Sequence, residues 1–121
     1  MDDQRVIIEM GSGNDQHGMD YTKAASRAIE DAIRHSSLPL FEAIGLSHEN
    51  MRVQVTVGVQ QPDNVDTTKL AEGLPRGNVT VRAVQGGLDV VNDQTGSTIV
   101  VASAAVEAFL PRQSGWAITE T

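Results

Sequence analysis

The stretch MRVQVTVGVQ, residues 51–60, carries the clearest structural pattern in the sequence. Its apolar residues occupy every second position, and they are Met51, Val53, Val55, Val57 and Val59. Successive side chains of a β-strand point to opposite faces of the sheet, so this alternation predicts a strand with one buried face.

Apolar alternation predicts further strands on both sides of this segment. They span residues 5–10, residues 78–91 and residues 97–102, and the last is expected to continue through a bend over residues 103–110. Gly86 and Gly87 interrupt the second of them as a bulge or a turn. Residues 92–96, NDQTG, are typical of a hairpin loop.

One amphipathic helix is predicted over residues 21–35. Its apolar residues recur at helical spacing, and they are Ala24, Ala25, Ala28, Ile29, Ala32 and Ile33. Asp20 or Thr22 can cap its N-terminus. Because this face is mostly alanine, the helix can sit close to a sheet. A short second helix is predicted over residues 39–44 and a helical turn over residues 67–72.

These elements indicate an α+β protein. We expect a single two-layer domain over residues 1–121, in β-α-β-β-β order, with a mainly antiparallel sheet and one main helix on one face. The segment from Pro111, which includes Trp116, is expected to be peripheral. One alanine-faced helix covers little of a four- or five-stranded sheet, so we expect a homo-oligomer. A trimer is the first expectation, with a dimer or tetramer as alternatives.

The composition argues against several classes of partner. A formal net charge of −7 and a pI near 4.7 oppose binding to nucleic acid or to an anionic membrane. The sequence contains no cysteine, which excludes disulfides and thiolate chemistry. No apolar run approaches the roughly 20 residues of a membrane helix, and the N-terminus lacks a signal-peptide pattern. We therefore expect a cytoplasmic protein.

The glycine-rich run MGSGNDQHG, residues 10–18, joins the first strand to the helix and is the main candidate for a functional site. Gly11 and Gly13 allow a sharp turn, and their amides could hold a carbonyl oxygen or oxyanion. The run is not a dinucleotide fingerprint, because Gln16 stands where its third glycine is required. It is not a Walker loop either, because Gly-Lys-Ser/Thr is missing.

Asp15 and His17 lie two positions apart in this run, so they point to the same side of an extended loop. An aspartate can orient an imidazole that carries a proton near neutral pH, which makes the two residues candidates for an acid–base pair. Alternatively, they bind a divalent metal together with Glu9. The structural alternative is that Asp15 caps a turn and His17 packs at the helix start.

The run GSGNDQHG resembles the GxGxDxHG signature of a family of uncharacterised, conserved hypothetical proteins from bacteria and plants. Every fixed position is matched, by Gly11, Gly13, Asp15, His17 and Gly18. The segment TKAASRAIEDAI, residues 22–33, is similar to the family's helix. The resemblance implies that the turn, with Asp15 and His17, belongs to a shared site, and it implies no particular activity.

Four charged residues outside the run are further candidates for ligand contacts. Lys23 shares a helix face with Arg27, and the pair could hold a carboxylate or carbonyl, although a solvated helix face also explains them. Arg82 lies mid-strand among apolar residues, where it faces a ligand or interface or covers the sheet with its stem. Glu9 interrupts an apolar strand, which indicates a pocket or a partner unless that position faces solvent.

Together these residues predict a small-molecule enzyme without an organic cofactor. Asp15 and His17 would carry acid–base chemistry on a carbonyl or cyclic-amide compound, such as ring-opening hydrolysis, in a pocket at a subunit interface. Ligand contacts would come from Glu9, Gly11, Gly13, Lys23 and Arg82. The alternatives are a non-catalytic metabolite-binding protein and a structural oligomer whose glycines only permit tight strand–helix packing.

Overall fold

The computed structural model describes residues 3–16, 18–34, 52–74 and 78–111. Within these ranges the elements are β1 (Asp3–Asp15), α1 (Tyr21–Arg34), β2 (Arg52–Val59), a 3-10 turn (Pro62–Asn64), α2 (Thr67–Glu72), β3 (Asn78–Gln85), β4 (Leu88–Val91) and β5 (Thr98–Pro111). His17, His35, Trp116 and the short helix predicted over residues 39–44 lie outside the described residues.

The strands form one five-stranded mixed sheet in the order β1-β5-β2-β3, with β4 also paired to β5. β5 is antiparallel to β1 on one side, and to β2 and β4 in succession on the other. β3 lies outside β2 and is parallel to it. The chain steps from β3 into β4 at Gly86 and Gly87. A Cβ on Gly87 (φ +63°) would lie 2.2 Å from the carbonyl oxygen of Val101, so this crossing requires glycine.

The hydrophobic core lies between α1 and one face of the sheet. Its largest fully buried side chains are Val55, Val57, Val59 and Val100. The helix contributes mainly alanines, which are Ala24, Ala25, Ala28 and Ala32. Small side chains on the helix allow its backbone to approach the strands closely, as the alanine pattern predicted.

The expected α+β class and single main helix are confirmed, and the antiparallel sheet is confirmed in part. β2 and β3 are parallel because α2, expected only as a helical turn, serves as the crossover between them. Residues 103–110 continue the last strand as expected. Residues 11–15, expected to turn, instead extend β1 as far as Asp15.

The sheet face opposite α1 carries exposed apolar side chains in the described part of the chain. Met10 is 70% exposed and Leu88 61% exposed, and Ile8, Val84 and Val90 are also exposed. The strand register places Met10 beside Ala105 and Leu88 beside Val101, all pointing away from α1. The other end of this face is more polar, with an Arg5–Glu107 ion pair at 3.2 Å.

Candidate functional site

The first two glycines of the run lie in β1, directly beneath α1. A Cβ on Gly11 would lie 2.3 Å from the backbone nitrogen of Ala32, and a Cβ on Gly13 would lie 2.3 Å from that of Ala28. Real Cβ atoms do not approach backbone this closely, so both positions exclude any side chain. Neither glycine is among the residues with positive φ. Their role in the structure is to let the helix touch the strand.

The outer edge of β1 is covered by side chains of α1. The amide of Ser12 donates to Asp31 Oδ2 at 2.9 Å, and Arg27 donates to the carbonyl oxygen of Asn14 at 2.6 Å. Because alternate residues of a strand direct their amides to opposite sides, the amides of Gly11 and Gly13 face β5. The structure therefore does not present these two amides to a ligand, contrary to the expected oxyanion contact.

Asp15 ends β1 and is the one charged residue of the described part whose side chain is buried, at 2% exposure. Its Oδ2 accepts a hydrogen bond from the amide of Asp20 at 2.9 Å. Its Oδ1 lies 3.7 Å from an Arg27 nitrogen and 4.0 Å from Lys23 Nζ, and both cations are about half exposed. A buried carboxylate between two cations is a common arrangement at binding sites.

The turn that Asp15 closes holds a strained residue. Gly18 and Met19 both have positive φ, +86° and +50°, and only Gly18 adopts this conformation without cost. Asp20 then caps α1, because its Oδ1 accepts from the amide of Lys23 at 3.0 Å. The carboxylates of Asp15 and Asp20 thus occupy the positive end of the helix, and their charge disfavours phosphate binding there.

A second polar pair lies on the opposite side of the helix start. The hydroxyl of Tyr21, the first residue of α1, donates to Asp89 Oδ2 of β4 at 2.5 Å. The hydrogen bond to Asp89, together with burial, raises the pKa of Tyr21 to about 12, so the phenol stays protonated near neutral pH. Asp89 Oδ1 is buried and has no hydrogen-bond partner among the described residues.

Asp15 and Asp89 belong to one row across the sheet. Both are register partners of Val100 in β5, so their side chains point to the α1 side from either flank of that valine. Two strand spacings separate their Cα atoms by about 10 Å. Asp89 carries no signal in the sequence, because the pattern of a short strand does not show whether an aspartate faces the helix or the solvent. The strand register is needed to place Asp89 in the same row as Asp15.

The structure brings together only some of the residues expected at the site. Lys23 lies beside Asp15, with Nζ 4.0 Å from Asp15 Oδ1. Arg82 donates to Thr56 Oγ1 at 3.1 Å on the opposite face of the sheet, so it does not join them. Glu9 pairs with Val106 whereas Asp15 pairs with Val100. Six residues of strand, about 20 Å, separate the two carboxylates, so they cannot share a metal ion.

No cluster of three or more His, Asp or Glu side chains suited to a metal ion is present within residues 3–16, 18–34, 52–74 and 78–111. His17 lies outside those ranges. Glu9 therefore does not complete a ligand set with Asp15 and His17, because it lies about 20 Å from Asp15 along β1.

A groove of about 590 Å³ lies beside the site, between α1 and α2. Its lining includes Lys23, Arg27, Lys69 and the apolar Ile29 and Leu70. Lys23 and Arg27 thus stand between the buried Asp15 carboxylate and an open, partly apolar groove. Small molecules bind preferentially in concave sites that combine apolar walls with a few polar groups.

Fold and site together define an α+β domain in which two carboxylates on one sheet row hold the start of a closely packed helix. The chain belongs to a family of conserved hypothetical proteins, Lin0512_fam, whose model matches residues 5–108. The family membership expected from the glycine-rich run is thereby confirmed.

One solved structure is similar over almost the whole chain. It is the crystal structure of an FtsZ-like protein of unknown function from Nostoc punctiforme PCC 73102, at 40% sequence identity and a TM-score of 0.77. The match covers 93% of this chain and 99% of that one. No protein with a curated description matches the sequence. Within the described ranges, no helix combines the length and the apolar content that crossing a bilayer requires.

Proposed function

We propose that the protein is a cytoplasmic, homo-oligomeric enzyme without an organic cofactor that acts on a small carbonyl or cyclic-amide compound. The observation that supports this most is the buried Asp15 carboxylate, held between Lys23 and Arg27 at the edge of the groove. Burying a charge costs free energy, so such an arrangement is kept where it positions reactive or ligand-binding groups.

Four residues have distinct parts in the proposed reaction, Asp15, His17, Lys23 and Arg27. Lys23 and Arg27 bind the carbonyl or carboxylate oxygen of the substrate through their exposed nitrogens. Asp15 is a positioning residue, because both of its oxygens face donors of the protein and it is almost inaccessible. His17 takes a proton from an attacking water and returns it to the amide nitrogen as the C–N bond breaks, which opens the ring.

Removal of the Arg27 guanidinium is expected to weaken ligand binding by about 10- to 100-fold, the usual loss for a charge-assisted hydrogen bond. The measurement is an NMR titration of wild type and Arg27→Ala with succinate, a carboxylate probe, and with hydantoin, a cyclic amide. Arg34→Ala is the matched control, since Arg34 is an exposed arginine at the far end of the same helix. Equal weakening by both variants would show that only net charge matters.

Turnover separates an enzyme from a binding protein. Hydantoin incubated with the wild-type protein should give the ring-opened acid by NMR, and His17→Ala should abolish its formation while leaving succinate binding intact. Succinate binding without turnover of any cyclic amide favours the non-catalytic metabolite-binding protein. Absence of binding by every probe contradicts the proposal and favours the structural oligomer. The close contacts of Gly11 and Gly13 with α1 are consistent with that alternative.

The exposed apolar face of the sheet supports the proposal of a homo-oligomer, with a trimer as the first expectation. A contiguous patch of exposed apolar side chains on a small domain is typical of an interface. Light scattering should therefore give a mass of several times the 12.9 kDa chain, and the double variant M10K/L88K should reduce it to one chain. Val91→Lys is the matched control, because Val91 is 59% exposed on the other side of β4. A 12.9 kDa wild-type particle at micromolar concentration would contradict the proposal.

A further inference from the structure

The Tyr21–Asp89 pair has a feature that packing alone does not explain. Asp89 Oδ2 receives the Tyr21 hydroxyl, whereas Asp89 Oδ1 is buried without a hydrogen-bond partner among the described residues. A buried carboxylate oxygen that lacks a donor is unfavourable, and native proteins keep few of them. Tyr21 fixes the orientation of the carboxylate, so the acceptor capacity of Oδ1 is directed to one place.

The pair lies beside an open part of the molecule. Val91 is on the same side of β4 as Asp89, two residues further along, and is 59% exposed. The β4–β5 hairpin continues past the level of Val100, where β1 ends at Asp15, so its loop end projects beyond the end of β1. Met19, in the strained turn before α1, is also exposed. Exposed apolar residues thus lie two sequence positions from each member of the pair, Val91 from Asp89 and Met19 from Tyr21.

We propose that Asp89, held by Tyr21, binds the N–H group of the substrate, so that the substrate class combines an N–H donor with a carbonyl or carboxylate group. This inference rests on the proposed function. Lys23 and Arg27 at the Asp15 end take the oxygen, and Asp89 at the other end of the row takes the nitrogen. The donor enters beside Val91, at the loop end of the β4–β5 hairpin.

Asp89→Asn is the sharpest test because it preserves shape. The asparagine oxygen can still accept the Tyr21 hydroxyl, which leaves an NH₂ donor where Oδ1 stood. Hydantoin should then bind at least tenfold more weakly than to wild type, while succinate binds equally. Wild type should bind 1,3-dimethylhydantoin, which has no N–H, at least tenfold more weakly than hydantoin. Asp93→Asn, in the exposed hairpin loop, is the matched control and should change nothing.

Tyr21 supplies a second readout, because it is the one tyrosine of the chain. Hydantoin should perturb the near-ultraviolet absorption of Tyr21 in wild type, and succinate should not. Unchanged hydantoin affinity in Asp89→Asn, or equal affinity for the methylated probe, overturns the assignment of Asp89. In that event, succinate binding that Arg27→Ala abolishes leaves the proposed function standing. Failure of wild type to bind either probe overturns both.

Discussion

Gly13→Ala is expected to lower the free energy of unfolding by at least about 4 kcal/mol. The added methyl carbon would lie 2.3 Å from the backbone nitrogen of Ala28 and 2.6 Å from the carbonyl carbon of Arg27. Overpacking against side chains costs about 1–3 kcal/mol, since side chains can move aside. Here the obstacle is helix backbone, so α1 must lift away from β1 and give up core contacts along its length.

Urea denaturation followed by circular dichroism measures this effect. Gly73→Ala is the matched control, because the nearest atom to a Cβ there is the carbonyl oxygen of Leu70 at an ordinary 3.5 Å and Gly73 has φ −76°. Its stability should stay within about 1 kcal/mol of wild type. A Gly13→Ala protein as stable as wild type would show that α1 does not rest on β1 in solution.

Secondary structure was predictable where side-chain pattern and burial agree. The alternating valines of residues 51–60 lie in β2, as predicted, and the alanine stripe of residues 21–35 forms the buried face of α1. The turn predicted at Gly11 and Gly13 is wrong, because both residues lie in β1. Local propensity disfavours glycine in strands, and only contact with the alanines of α1, distant in sequence, makes it the required residue.

Distances within the candidate site depend on strand geometry more than on separation in sequence. Asp15 and Lys23 lie either side of one turn, and the structure places them together. Glu9 and Asp15 are also near in sequence, but an extended strand carries them about 20 Å apart. Whether Arg82 can reach the site depends on the face of the sheet that it occupies, and only the strand register determines that face. The register also identifies Asp89 as a site residue, since Asp89 and Asp15 are both register partners of Val100.

The glycine-rich run therefore has two physical roles along its length. Its first half is a packing surface, in which absent side chains let α1 approach the sheet. Its second half contains the buried acid and the strained turn, and the chemistry that we propose lies at this end of β1. The close packing of the first half fixes where the second half places Asp15 relative to Lys23 and Arg27. Precise placement of this kind is what binding and proton transfer require.

Asp15→Ala is expected to lower the free energy of unfolding by about 2–3 kcal/mol, most of it from the unpaired amide of Asp20. The contributions of Lys23 and Arg27 to this loss are below about 1 kcal/mol each, because both cations are half exposed and screened by water. Asp15→Asn keeps an acceptor for the Asp20 amide, so about 1–2 kcal/mol is expected. Thermal and urea unfolding of both variants measures the difference.

Succinate binding by Asp15→Asn separates a structural from a functional role for Asp15. Asp63→Asn, an exposed aspartate in the 3-10 turn, is the control and should leave stability within about 0.5 kcal/mol of wild type. If Asp15→Asn folds and still loses succinate binding, the charge of Asp15 is needed to hold Lys23 and Arg27 in place for the ligand. If it binds succinate as wild type does, Asp15 serves only to close the turn onto α1, since its remaining hydrogen bond to Asp20 suffices for that.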